Sequence, residues 1–136
     1  MAKLLSTGDV LGLTGLPAKT FDEWNSKGIV VPKEGGEGHG SHRKFTWMQV
    51  LGILVAVELR NGERGCVLPY VGKVVAAFAA MDEKELQAAF KKGATHFLTL
   101  AGNRPYLEGP RCSDMVNVQQ IYRSVILHIQ EMEGRI

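Results

Sequence analysis

Donor-bearing side chains gather in two short stretches of this sequence. Lys19 and Thr20 follow Pro17-Ala18, and His39, His42, Arg43 and Lys44 sit on or beside Lys33 to Ser41, a run with four glycines in nine residues. Long or hydroxyl-bearing donors at a helix start can reach base edges, and cationic donors on a flexible loop can follow a phosphate backbone or enter a minor groove. Catalytic chemistry is not spelled out: there is no Gly-x-Ser-x-Gly elbow, no phosphate loop ending in Lys-Ser/Thr and no His-Glu-x-x-His. The Gly35 to Gly40 stretch opens no helical pattern, which excludes a nucleotide loop. His39 and His42 lack acids or thiols at ligand spacing, so neither a metal nor a cofactor is expected, and the chain reads as a non-enzyme.

The elements that must position these donors fit in 136 residues, enough for one DNA-binding unit and a modest appendage. At 45% hydrophobic and 22% charged the chain is of globular composition. Sixteen basic against fourteen acidic side chains leave a net charge of +2, so any affinity for nucleic acid must come from clustered cations rather than from the total. The longest apolar stretch, Val50 to Val57, is broken by Gly52 and ended by Glu58, far short of a membrane span. No signal peptide is visible, and a cytoplasmic location without membrane contact is expected. Cys66 and Cys112, far apart and without a Cys-x-x-Cys pair, read as ordinary reduced thiols.

Ser6 with Asp9 predicts a capping box opening a helix from Thr7 to about Leu13. Thr14-Gly15-Leu16 interrupts it, and Pro17 suits the first turn of a second helix that runs through Phe21 and Trp24 to stop near Gly28. Ile29 to Pro32 is β-branched and apolar and predicts a short strand; after the glycine-rich loop, His42 to Phe45 returns as its partner, making a wing. Thr46 with Gln49 predicts a second capping box and a helix to Asn61-Gly62. Farther on, helices are expected over about Leu68 to Met81 and Asp82 to Lys92. A β-hairpin follows at Thr95 to Leu107, its second strand marked as an edge by Pro105. The final helix carries Val118, Tyr122, Val125, Ile129, Met132 and Ile136 as a stripe that suits either a partner or the chain's own core. Phe21, Ile29, Phe45, Val50, Leu51 and Leu54 are the expected core of the first half, with Phe78, Phe90 and Phe97 lining the second. The fold class is therefore mainly α with a small β wing: a winged helix-turn-helix, a helical segment, a possible β-hairpin and a C-terminal helix.

From Leu5 to about Arg60 this order resembles the MerR-type winged helix-turn-helix regulators. The matching pieces are Gly8-Asp9-Val10-Leu11, Leu13-Thr14-Gly15-Leu16, Lys19-Thr20-Phe21, Trp24, Gly28-Ile29 and Arg43-Lys44-Phe45-Thr46. The likeness extends loosely to Val75 and fades past Met81, where the long dimerisation helix and effector motifs of the metal- and drug-sensing members are not recognisable. It departs from the family at Asp22 and Glu23, where an Arg and a Tyr are common. An acid facing phosphates repels them, so this helix either presents a different edge or leaves contact mainly to the turn and wing.

The resemblance implies a DNA-binding domain at residues 1–75 and a dimerisation, accessory or effector region at 76–136. Ala18, Lys19, Thr20, Trp24, His42, Arg43 and Lys44 are the implied contacts to double-stranded DNA, with Arg43 foremost. The function expected is sequence-specific transcriptional regulation by a homodimer on a palindromic site. The alternative is an adaptor or architectural protein of a phage or plasmid packaging or recombination complex, docking a protein partner through the C-terminal helix.

Overall fold

The computed structural model describes residues 4–35, 43–61, 68–110 and 115–134. A two-residue strand β1 (Leu5–Ser6) leads directly into helix α1 (Thr7–Thr14). The capping box is present: the Asp9 N–H donates to Ser6 Oγ, and the Ser6 N–H donates back to Asp9 Oδ2, both at 3.1 Å. Two of the amides a helix start leaves unpaired are thereby satisfied. Gly15, at φ 71°, ends α1 in the left-handed region that costs a glycine nothing, and its N–H donates to the Leu11 carbonyl. The Thr14 hydroxyl donates to the Val10 carbonyl and accepts the Leu16 N–H, tying down the turn.

Helix α2 (Ala18–Ser26) starts one residue later than Pro17, which caps it in extended conformation. Its carboxyl end corrects the sequence reading. Ile29 and Val30 do not form a strand, because their N–H groups donate to the Trp24 carbonyl at 2.9 and 3.3 Å. The chain folds back on the helix end, and those amides are spent before any ladder can use them. Extended pairing begins at Glu34, which bridges Lys44. Strand β2 (Lys44–Phe45) then pairs antiparallel with β1, Leu5 opposite Phe45 and Ser6 opposite Lys44.

Helix α3 (Trp47–Asn61) opens on the second capping box. Gln49 Oε1 accepts the Thr46 N–H at 2.9 Å, and Thr46 Oγ1 accepts the Gln49 N–H at 3.1 Å. Helix α4 (Leu68–Ala80) lies against α3, followed by α5 (Glu83–Lys91) with Asp82 as its cap. Strands β3 (His96–Ala101) and β4 (Arg104–Glu108) form the hairpin around Gly102, and β5 (Val116–Asn117) completes a sheet of order β4-β3-β5. Pro105 thus stands on an edge strand, as its missing N–H requires. Helix α6 (Val118–Gly134) closes the described chain.

In its coarse form the fold matches the expectation, being mainly helical with small antiparallel sheets. One apolar cluster runs from Leu5, Val10 and Phe21 through Val50, Leu51 and Ile53 of α3 and Val71, Val74 and Phe78 of α4 to Phe97, Val125 and Ile129. Ile29, Leu54 and Phe90, expected within the core, are partly buried at its margin. Helix α4 spans residue 75, so the cluster is continuous across the expected division of the chain. Val118, Val125 and Ile129 of the C-terminal stripe are buried, and α6 lies against α3 and β3. The described part of that stripe therefore serves the chain's own core, and Leu127, on another face, is exposed.

Candidate nucleic-acid interface

Two aromatic rings fix where the donors go. Phe21 of α2 and Phe45 of β2 are fully buried and meet at 5.2 Å between ring centres, so the stem after the loop is anchored to the second helix. With Phe21 turned inward, the first turn of α2 faces outward: Ala18 and Lys19 are exposed and Thr20 is half-buried. Among the described residues no side chain caps this end, and Pro17 contributes no N–H. The positive end of the helix dipole and the Lys19 ammonium thus sit together on an accessible surface, an arrangement that attracts an anion.

Arg43 lies beside this helix. Its Nη1 donates to Asp22 Oδ1 at 3.2 Å, with Arg43 largely covered and Asp22 open to solvent. The pair answers the question raised by an acid on the second helix: Asp22 carries a guanidinium that offsets its charge and holds the Arg43 side chain along α2. An exposed pair of this kind contributes about 0–1 kcal/mol to stability, so its main consequence is positional. Lys44 is half-buried in β2, one residue before the Phe45 anchor.

Two expected site residues need separate treatment. Trp24 is only 3% exposed and belongs to the core cluster, which corrects its assignment as a DNA contact: a buried indole is out of reach of a sugar-phosphate chain. His42, like His39, lies outside the described residues. The structure therefore brings Ala18, Lys19, Thr20 and Arg43 to one region, with Lys44 at its edge. Asp22 is the residue whose role sequence reasoning missed. Its spacing from Arg43 is 21 residues, and only the antiparallel return of the chain brings them together.

Elsewhere, His96 and His128 are satisfied locally: His96 Nδ1 is 2.8 Å from Thr95 Oγ1, and His128 Nδ1 is 2.9 Å from the Ser124 carbonyl. No set of three metal-ligating side chains converges among the described residues, and no helix among them is long and apolar enough to cross a membrane. Cys66 and Cys112 are outside the described residues. Compared with known proteins, the chain matches no protein-family model and no curated protein sequence.

Proposed function

We propose that the chain is a sequence-specific DNA-binding regulator of the MerR type, with residues 1–75 acting as a winged helix-turn-helix and two copies reading a palindromic site. The observation that carries this reading is the exposed first turn of α2, bearing Ala18, Lys19 and Thr20, with Arg43 held alongside it. In this mechanism α2 enters the major groove by its amino-terminal turn. Thr20 and Lys19 address base edges or phosphates, and the uncapped helix start receives a phosphate. Arg43 and Lys44 address the adjoining backbone as cations. Asp22 limits the positive charge presented at the groove, so affinity per protomer is modest and specificity depends on both half-sites.

The test is selection of bound molecules from a random-sequence DNA pool across a salt series, with full-length protein, Lys19→Ala and Arg43→Ala. Enrichment of a palindrome is expected, with affinity falling steeply with salt. Loss of one phosphate contact lowers the salt slope by about 1. Failure to enrich any sequence at any salt overturns the proposal and leaves the adaptor reading.

A further inference from the structure

Between the segment that follows α2 and the outer face of α4 runs a trough made of two adjoining cavities of about 510 and 430 Å³. The two share Gly28, Ile29, Gly72 and Ala76. At Gly72 the walls stand about one methyl group apart: a Cβ there would lie 3.5 Å from the Ile29 Cα and carbonyl oxygen, in ordinary contact. The α4 wall is built from small residues, Gly72, Ala76, Ala79 and Ala80, and from Pro69 to Ala80 it extends roughly 16 Å at 1.5 Å per residue. The opposite wall carries Val31, which is 63% exposed at the wing stem and is the most open large apolar side chain among the described residues.

The charges on the trough have one sign. Lys27 and Lys73 line the first cavity, Lys33 lines the second, and no acid among the described residues lines either. An apolar channel of this size with cations at its ends has the makeup of a small-ligand site, where the apolar walls hold the body of the ligand and a few polar groups fix its orientation. Its length along α4 favours an extended ligand over a compact one.

We propose that this trough binds an elongated amphiphilic anion, an acyl or arylalkyl carboxylate. The carboxylate lies between Lys27 and Lys73, and the apolar body passes over the Gly72–Ile29 contact and along Ala76 towards Ala80 and Val31. The assignment is independent of the DNA-binding proposal, since every residue it uses lies outside the first turn of α2. Because one wall continues from the end of α2 into the wing stem, an occupant also braces the two elements proposed to touch DNA.

The experiment is isothermal titration of full-length protein, without DNA, using decanoate, 1-decanol and decyltrimethylammonium. Wild type is compared with Ala76→Leu, Lys27→Glu, Lys73→Glu and Lys33→Glu, each checked for native circular dichroism. Saturable one-to-one binding of decanoate is expected, at least about tenfold tighter than either of the other two probes. Ala76→Leu, which fills the channel from an exposed helical position, weakens it by about tenfold or more, as does each of Lys27→Glu and Lys73→Glu, while Lys33→Glu changes it less than about threefold. Absence of saturable decanoate binding overturns the proposal. So does equal affinity for the alcohol or the cation, or indifference of binding to Ala76→Leu. Since DNA is absent, none of these outcomes bears on the regulator reading.

Discussion

Replacing Gly52 by alanine tests the α3–α4 crossing that sets the position of the trough's α4 wall. A Cβ at position 52 would stand 3.0 Å from Val75 Cα, 3.1 Å from Phe78 Cβ and 3.2 Å from the Val75 carbonyl oxygen. Two of these three atoms are backbone and cannot swing aside, so α3 and α4 must separate. Overpacking of a filled core costs about 1–3 kcal/mol. Against this, alanine is favoured over glycine in a helix interior by about 1 kcal/mol. With contact at 3.0 Å to a main-chain carbon the steric cost is placed in the upper half of its range, leaving a net loss of about 1–2 kcal/mol. For a chain of this length that lowers Tm by about 3–8 °C.

The same substitution at Gly12 is the matched control. Gly12 is exposed within α1, and a Cβ there meets nothing within 4 Å, so only the backbone preference remains. Gly12→Ala therefore raises stability by about 0.5–1 kcal/mol. Urea denaturation of the two variants beside wild type gives both signs in one assay. A Gly52→Ala protein as stable as wild type, or more stable, would refute the close crossing and with it the wall of the trough.

Asp22→Asn keeps the side-chain shape but removes the charge that offsets Arg43, and DNA affinity in low salt is expected to rise by about threefold to tenfold with a steeper salt slope; a fall measured by anisotropy would show that the hold on Arg43 outweighs the charge that Asp22 offsets. Gln49→Ala removes the acceptor for the Thr46 N–H and the donor, at 2.6 Å, to the Val31 carbonyl, costing about 1–2 kcal/mol by urea denaturation. Tyr122 predicts an alkaline limit: burial, and secondarily Glu83, hold its phenol above the ordinary 10.0 even though the Gln87 amide donates to it. Because the folded pKa is raised, its contribution is complete below the unfolded value and is lost as pH climbs through the folded one, so Tm falls above about pH 10, and Tyr122→Phe flattens that fall. An unchanged slope in Tyr122→Phe would assign the alkaline loss to other groups.

The elements legible in the sequence are those fixed by near neighbours. Both capping boxes, Ser6 with Asp9 and Thr46 with Gln49, join residues three apart, and both form. Gly15 and Gly102, each at positive φ, mark turns that their neighbours announce. What the sequence hid depends on distant pairing. Leu5–Ser6 and Val116–Asn117 are two-residue strands whose partners, Phe45 and Phe97, lie far along the chain, and so short a run has no alternation to read. Ile29 to Pro32 failed for a different reason: its β-branched side chains suit a strand, but the Trp24 carbonyl is nearer than any partner strand. Trp24 is hard to place from sequence because an indole suits a core and an interface equally, and only its burial in the folded chain decides it.

Asp22 shows how the proposed interface and the fold constrain one another. On an isolated helix an acid at this position would oppose any approach to phosphate. Here the β1–β2 pairing and the Phe21–Phe45 contact bring Arg43 within 3.2 Å, so the net charge of that corner is set by the tertiary fold and not by α2 alone. Val31, which precedes β2 in the chain, lines the trough, and its carbonyl accepts from Gln49 Nε2 at 2.6 Å. A displacement of β2 therefore alters the charge presented along α2, because Arg43 moves with it.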